Sequence, residues 1–493
     1  MNFLFPNKEN LDPLLREIID LSKKLGVDYS DLRYGFYKSE TINVRDNLVE
    51  AIDYDENFGV GIRVLVNGGW GFSSTAVLDK ANLLETLETA IDIAKASSEL
   101  RVEKVCWEPQ VPQVGTWYSN IKEDPFKVSR EEKMNLLLDS TSNALQQDGC
   151  FRATASIFSG EELKWFLSSE GSDITQRIIR TSPDLMAWGK ASNGNVRTRN
   201  HQTPPLTCGF ENIRSADLVG NAARVGSEAV ERAEAPFGPQ GKFDLILDPA
   251  NLALTIHETI GHATELDRAC GWEADFAGTS FLKVSDLDNL KYGSKWVNVQ
   301  GDRTLPNGQA TLGWDDDGVK TNEFPIIEKG IFRGFASTRD SCYLEKTKGL
   351  GKACSHADSW SNIPILRIPN VSLKPSEGES APSKNDLIKD VKKGILIQGR
   401  GSWSIDQQRY NFQFGGDAFW EIRNGEVCGM FSDVTYRGIT TDFWNSCDGV
   451  SSKDYWEPQG VRNCGKGQPS QQGQQTHGAS WSLFRNIDVG DAN

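Results

Sequence analysis

The sequence predicts an α+β protein with an N-terminal α+β domain of antiparallel meanders and flanking helices, followed by a mainly antiparallel β domain. Two patterns lead to this class. In the first half, segments with apolar residues at helical spacing alternate with runs of β-branched and aromatic residues. In the second half, short strand-like runs are separated by glycine-rich turns, with one helical segment near the beginning. A chain of 493 residues is long enough for two or three separate cores.

The first 100 residues predict a helix, a meander and a second helix. Asp12 and Pro13 have the residue types of a helix start, and an apolar stripe follows them. Residues 31–65 have the composition of strands, and Asn67-Gly68 is a hairpin signal. Leucines and alanines between 83 and 94 then line one face of a second helix.

Residues 125–235 predict the same order of elements. A capping box at 129–132 begins a helix that reaches about residue 147. We expect three strands and a further helix after it, at 151–158, 162–168, 174–180 and 215–232. The segments 1–100 and 125–235 are therefore candidate halves of one N-terminal domain, 1–235.

Residues 234–241 mark the strongest boundary in the chain, because two prolines and two glycines interrupt any regular element there. The second domain is predicted to cover 236–493. It should open with a strand at 242–247, and Asp248-Pro249 should then begin a helix. That helix runs into the histidine pair described next.

Composition limits the classes of partner and compartment. The net charge of −15 and the lack of a Lys/Arg stripe argue against nucleic acid. No apolar run approaches the roughly 18 residues of a membrane span, and the first residues do not resemble a signal peptide, so we expect a cytoplasmic protein without a membrane segment. Nine singly spaced cysteines predict reduced thiols instead of a disulfide framework.

The segment His257-Glu258-Thr259-Ile260-Gly261-His262 predicts a metal site with its own general base. On a regular helix, histidines five residues apart diverge by about 140°, too far to share one ion. A π-bulge would realign them, and Gly261 tolerates an irregular backbone. The alternative is two unrelated polar residues on a surface helix.

A metal held by two imidazoles needs a further protein ligand. The remaining histidines are His201, His356 and His477, and Cys464 is a candidate within a glycine-rich loop. Lys466, two residues later, would favour the thiolate of this cysteine. Spacing does not choose among these residues, and a buried unreactive cysteine remains an alternative.

Six separated blocks stand out along the chain: DLRY at 31–34, VRDNLVE at 44–50, GVGIRV through WGF at 59–72, HETIGH at 257–262, RIPN at 367–370 and CGKGQ at 464–468. Together they resemble the TldD family of metalloproteases, within the TldD/PmbA group once described as modulators of DNA gyrase. They occur in the family's order and extend over nearly the whole chain. The joint match is therefore far more specific than the histidine pair alone.

The resemblance implies a zinc metalloprotease. His257, His262 and Cys464 would be the ligands of one Zn²⁺ ion per chain, and Glu258 would be the catalytic base. The implied reaction is hydrolysis of peptide bonds in peptides or unfolded protein segments by a zinc-bound water. The resemblance also implies a homodimer, or a heterodimer with a PmbA-like subunit.

Two readings of the whole chain compete with this one. A non-catalytic PmbA-like partner subunit would lack the metal motif, whereas this chain has both histidines, the glutamate and the cysteine. A DNA-associated regulator is disfavoured by the negative net charge of the chain.

Two acidic features also have open roles. Glu265 could be a solvated acid, a further ligand or a hydrogen-bond partner of an imidazole. The Asp315-Asp316-Asp317-Gly318 segment lacks the glutamate of an EF-hand loop, so a solvated turn is expected.

Overall fold

The computed structural model describes residues 8–100, 104–276, 278–345 and 350–490. Within these ranges the N-terminal part contains five helices: α1 (Lys8–Lys24), α2 (Lys80–Leu100), α3 (Arg130–Leu145), α4 (Glu211–Ser215) and α5 (Leu218–Glu234). It also contains seven strands: β1 (Tyr29–Arg45), β2 (Leu48–Val66), β3 (Gly69–Thr75), β4 (Val114–Tyr118), β5 (Cys150–Ser168), β6 (Asp173–Lys190) and β7 (Val196–Asn200).

All seven strands belong to one sheet, in the order β3-β2-β1-β5-β6-β4, with β7 added beside β6. Strand β5, from the second predicted segment, pairs with β1 from the first along 15 residue pairs. One apolar core lies between one end of the long strands and helices α1 and α2, and another lies between the other end and α3 to α5. The two similar segments thus share a single sheet.

Three local expectations need correction here. Helix α1 begins before Pro13, because Leu11 is buried and its packing holds the preceding turn in the helix. The strands expected at 151–158 and 162–168 are one strand, β5. The helix expected at 215–232 divides into α4 and α5, since Asp217 takes a left-handed conformation and caps α5 by accepting the Gly220 amide.

The hairpin predicted at Asn67-Gly68 is confirmed. Both residues have positive φ, 51° and 69°, and they connect β2 to β3. A two-residue turn with this geometry matches the twist of the strands on either side. The same residue pair with the same backbone conformation occurs at Asn424-Gly425, where φ is 51° and 81°.

The C-terminal part opens with a strand that leads into the site helix. Its described helices are α6 (Pro249–Ile256), α7 (Leu266–Ala269), α8 (Lys384–Lys389) and α9 (Thr440–Asn445). Its strands are β8 (Gly241–Leu247), β9 (Val299–Asp302), β10 (Glu323–Glu328), β11 (Ile331–Phe332), β12 (Ser355–His356), β13 (Ile365–Leu366), β14 (Asn370–Leu373), β15 (Lys393–Gln398), β16 (Trp403–Ile405), β17 (Asn411–Gly415), β18 (Ala418–Arg423), β19 (Glu426–Phe431), β20 (Thr435–Ile439), β21 (Cys447–Val450), β22 (Glu457–Lys466), β23 (Gln471–Ala479) and β24 (Ser482–Gly490).

A nine-stranded sheet dominates this part, with β8 between β24 and β15. Its strand pairs are antiparallel apart from β8 with β15, so the predicted α+β class with a mainly antiparallel second half is confirmed. Smaller sheets are formed by β9, β10, β11 and β14, by β12 and β13, and by β22 and β23. Among the described helices, none has the length and apolar character that a membrane crossing requires.

The turn at 315–317 is buried, contrary to the solvated turn expected from sequence. Arg63 Nη2 on β2 donates to Asp31 Oδ2 at 2.6 Å and to Asp317 Oδ1 at 2.8 Å. Lys164 on β5 forms an ion pair with Asp316, with a distance of 2.9 Å from Nζ to Oδ2. These buried ion pairs join the N-terminal sheet to the C-terminal part.

Helix α6 begins at the predicted position. Asp248 caps it by accepting the amide of Asn251 at 2.7 Å, and Pro249 occupies the first turn. The Asp248 carboxylate also accepts the Gly399 amide at 3.0 Å. Burial nevertheless raises the pKa of Asp248 to about 7.

An Asp248→Asn variant is expected to gain stability relative to wild type as the pH rises from about 4 to 7. In this window the unfolded wild-type chain releases the Asp248 proton and the folded chain keeps it, at a cost of about 1.4 kcal/mol per pH unit. Asparagine keeps the capping oxygen without this cost. Melting temperatures of both proteins at pH 4.5 and pH 8 measure the difference.

Asp386→Asn is the matched control for that experiment. Asp386 lies on the surface, and the Ser383 hydroxyl and amide lower its pKa. Asp386 therefore stabilises the fold more at high pH, and its replacement should give a trend of opposite sign. A difference between Asp248→Asn and wild type that did not change with pH would contradict the prediction.

Candidate metal centre

The helix carrying the two histidines is irregular where the sequence predicts it. After α6, residues His257–Gly261 form a π-helical turn, in which the His262 amide donates to the His257 carbonyl five residues earlier. This extra residue in the turn brings the imidazole ring centroids to 4.6 Å from each other. An added Cβ at Gly261 would lie 3.1 Å from Ile368 Cδ1, so Ile368 would have to shift by a few tenths of an ångström to admit a side chain there.

Cys464 reaches the two histidines from the hairpin of β22 and β23. Its Sγ lies 3.2 Å from His262 Nε2. The candidate ligand atoms of His257, His262 and Cys464 all lie within 4.8 Å of one another, and all three residues are buried. Two imidazoles and one thiol match the donors that zinc prefers and leave a fourth tetrahedral position open.

A chain of hydrogen bonds sets the tautomer of His257. The Val371 carbonyl accepts from His477 Nδ1 at 3.0 Å, so His477 Nε2 carries no proton in the neutral ring. His477 Nε2 lies 2.7 Å from His257 Nδ1 and accepts its proton. The lone pair of His257 is therefore on Nε2, the nitrogen left for a metal.

Glu265 sets the tautomer of His262 in the same way. Its Oε2 lies 2.7 Å from His262 Nδ1, so Nε2 presents the lone pair towards Cys464. Arg268 Nε donates to Oε2 at 2.6 Å, and Lys466 Nζ donates to Oε1 at 3.0 Å. Of the three roles left open by the sequence, Glu265 has that of hydrogen-bond partner of an imidazole.

Lys466 does not contact the Cys464 thiol, contrary to the role suggested by its spacing. Its three donors go to Glu265, to Asp267 at 2.7 Å and to the Leu366 carbonyl at 2.9 Å. Burial raises the pKa of Cys464, and the nearby Arg367 opposes this rise. A metal ion binding at this position would replace the thiol proton.

Burial keeps both histidines neutral. It lowers the pKa of His257 and of His262 well below the usual range. Burial alone would raise the pKa of Glu265, but the Lys466 and Arg268 cations hold it well below its usual value. Two neutral imidazoles beside an ionised Glu265 are the protonation states that metal binding requires.

Glu258 lies beside the cluster and forms an ion pair. Arg409 Nη1 donates to Glu258 Oε2 at 2.5 Å. Burial raises the pKa of Glu258, whereas the Arg409 charge lowers it. Arg409 occupies the turn between β16 and β17 with a φ of 65°, and Thr440 Oγ1 donates to its carbonyl at 2.8 Å. No motif in the sequence indicates this arginine.

The other two histidines lie outside the cluster. His201 Nε2 is 2.7 Å from the Ala216 carbonyl in the N-terminal part. His356 Nδ1 is 3.7 Å from Asp316 Oδ2. Cys464 is therefore the candidate third ligand, and His477 contacts His257 from behind without joining the set.

The fold carries a buried His-His-Cys set that could hold a metal ion, and comparison with known protein families identifies the family of the chain. The family model of the PmbA/TldA metallopeptidase C-terminal domain matches residues 240–490. The models of the central domain and of domain 1 of the same family match residues 123–236 and 30–94. The chain belongs to the PmbA/TldD family, which confirms the resemblance seen in the sequence.

Relatives and solved structures agree with this assignment. A metalloprotease of Methanocaldococcus jannaschii is 28% identical over 440 residues, or 89% of this chain and 92% of that protein. A zinc metalloprotease TldD homolog of Saccharolobus solfataricus is 22% identical, covering 89% of this chain and 91% of that protein. The crystal structure of TldE from Thermococcus kodakarensis shares the fold, with a TM-score of 0.72, 17% identity, and coverage of 97% of this chain and 100% of that one.

Proposed function

We propose that this chain is a zinc-dependent peptidase that hydrolyses peptide bonds in peptides or unfolded protein segments. In this proposal one zinc ion binds to His257, His262 and Cys464, and Glu258 is the general base. The observation that carries it is the convergence of these three ligand atoms within 4.8 Å, in a buried position. The names of its relatives, which describe metalloproteases, support the same chemistry.

The chain's own residues have distinct tasks in this reaction. Zinc, when bound, acts as a Lewis acid and lowers the pKa of a coordinated water. Glu258 accepts a proton from the attacking water and delivers it to the leaving amine. Arg409 orients the Glu258 carboxylate and favours its ionised form. His477 and Glu265 keep the two imidazoles in the tautomers described above.

A non-catalytic partner subunit is the alternative function. Such a subunit needs neither oriented imidazoles nor a buried carboxylate beside them. The hydrogen bonds that His477 and Glu265 make to the two histidines therefore favour the catalytic proposal. Burying polar groups costs free energy unless they are hydrogen-bonded, and both imidazoles have such a partner on the nitrogen that is not offered to a metal.

Metal analysis of the purified chain tests the proposal. We expect about one zinc ion per wild-type chain and little or none in Cys464→Ser or His262→Ala, because a three-ligand site does not hold zinc with two ligands. A chelator should abolish cleavage of an unfolded protein substrate, and added zinc should restore it. Elemental analysis and a fluorescence cleavage assay provide the two measurements.

Cys428→Ser is the matched control, since Cys428 is exposed on β19 and lies outside the cluster. It should keep both zinc and activity. Wild-type protein that contained no zinc after purification and reconstitution, or cleavage that persisted in excess chelator, would refute the proposal.

A further inference from the structure

A cavity of about 160 Å³ lies between the N-terminal sheet and the C-terminal part. Glu162 and Arg180 line it from β5 and β6, and Arg303, Arg367 and Gln475 line it from the C-terminal part. The candidate metal ligands and Glu258 are not among its lining residues. Its volume corresponds to roughly five water molecules, which is enough for one small polyatomic ion.

Two wholly buried guanidinium groups line this cavity without a counter-ion. Arg303 is 2% exposed and Arg367 is 1% exposed. Among the described residues, only neutral carbonyls accept from them: Ala310 from Arg303 Nε at 3.2 Å, and Gln471 and Cys464 from Arg367. Buried charges are normally paired, because an uncompensated charge loses its hydration without replacement.

Three buried polar atoms on these lining residues have no hydrogen-bond partner in the described part of the chain. They are Arg303 Nη1, Arg367 Nε and Gln475 Oε1. Buried N–H groups are nearly always satisfied, so two free donors on the walls of one cavity indicate a missing acceptor. Both donors belong to cations, which favours an acceptor with negative charge.

Two carboxylates line the cavity, and only one of them is paired with a cation. Glu162 is ion-paired with Arg180. Asp358 accepts from the Gln472 amide at 2.7 Å and from Asn362 Nδ2 at 2.8 Å. His356 also lines the cavity, and burial lowers its pKa well below the usual range, so it adds no charge. Arg180, Arg303 and Arg367 therefore supply three positive charges against the two negative charges of Glu162 and Asp358, which leaves the lining with one net positive charge.

We propose that this cavity binds a small oxyanion, a phosphate group or a carboxylate, with Arg303 and Arg367 as its counter-charges. The planar N–H groups of arginine fit the oxygens of both kinds of anion. A cationic ligand would add to the unpaired charge, and a neutral ligand would leave it uncompensated. Because Arg367 also donates to the Cys464 carbonyl, the anion would lie one side chain away from the strand that carries Cys464.

Melting of the full-length chain in phosphate and in chloride, at equal ionic strength, tests this site. Phosphate should raise the melting temperature of the wild type, since a ligand that binds only the folded state stabilises it. The shift should be at least threefold smaller in Arg303→Gln. In chloride, Arg303→Gln should melt at or above the wild-type temperature because it removes an unpaired buried charge.

Gln475→Glu gives a second, independent variant. It places a carboxylate in the cavity, so it should raise the melting temperature in chloride and remove the phosphate response. Arg423→Gln, at an exposed position on β18, is the matched control and should respond like the wild type. A Cys464→Ser chain should also respond like the wild type, which separates this site from the proposed metal centre.

A parallel titration distinguishes the two sources of the oxyanion. An N-acetylated dipeptide with a free carboxylate is compared with its C-terminal amide and with inorganic phosphate. Binding of phosphate, or of the free acid and not of the amide, supports the site if Arg303→Gln weakens it. Absence of binding by either anion, or binding that is equal in wild type and Arg303→Gln, would overturn the inference.

Discussion

A Glu258→Gln variant is expected to have a kcat/KM for peptide cleavage about 10²- to 10⁴-fold below wild type, with its zinc content unchanged. Glutamine keeps the shape of the side chain and an oxygen that can accept from Arg409. It cannot take a proton from water at neutral pH, so the proton transfer loses its base. Steady-state kinetics and metal analysis of the same preparation measure both quantities.

Glu421→Gln, on β18 and away from the cluster, is the control for that comparison. It should cleave at the wild-type rate. Melting temperatures of both variants show whether either change has unfolded the protein. A Glu258→Gln chain with zinc bound and more than a tenth of wild-type activity would remove Glu258 from the proposed role of base.

An Arg63→Met variant is expected to lose about 3–5 kcal/mol of unfolding free energy. Methionine fills part of the volume but removes the cation that Asp31 and Asp317 share, which leaves Asp31 only the more distant Arg33, with Nε at 3.9 Å. Asp31 is wholly buried and Asp317 is 1% exposed, so water cannot replace the lost charge. Chemical denaturation of the variant beside the wild type gives the difference.

Arg423→Met is the corresponding surface control. Arg423 pairs with Glu421 at 2.8 Å, but its side chain is 66% exposed, so its loss should change stability little. Adding Asp317→Asn to Arg63→Met should recover part of the lost stability, because it removes the buried charge that the first substitution leaves without its arginine partner. An Arg63→Met chain as stable as the Arg423→Met control would contradict this account of the junction.

Features that depend on nearby residues could be predicted from the sequence. The Asn67-Gly68 turn, the Asp248 cap and the irregular helix near Gly261 follow from backbone conformations that neighbouring residues determine. Family resemblance extended these predictions to Cys464, 202 residues from His262. Spacing alone did not distinguish it from the alternatives.

Features that depend on distant contacts were missed or wrongly interpreted. The acidic turn at 315–317 looks solvated in sequence, yet its carboxylates are buried against Arg63 and Lys164 from the other part of the chain. Lys466 is close to Cys464 in sequence but binds Glu265 instead. An isolated charged residue is rarely buried because it loses its hydration, but an ion pair offsets that cost.

The sequence by itself determined the α+β class, the unusual spacing of His257 and His262, and Glu258 as the candidate base, and family resemblance added Cys464 as the candidate third ligand. Only the tertiary structure decided which groups orient these side chains. His477 is hydrogen-bonded to His257, Glu265 to His262 and Arg409 to Glu258. The physical reason is that backbone geometry acts over a few residues, whereas hydrogen bonds and charges act through space between strands and turns far apart in the chain.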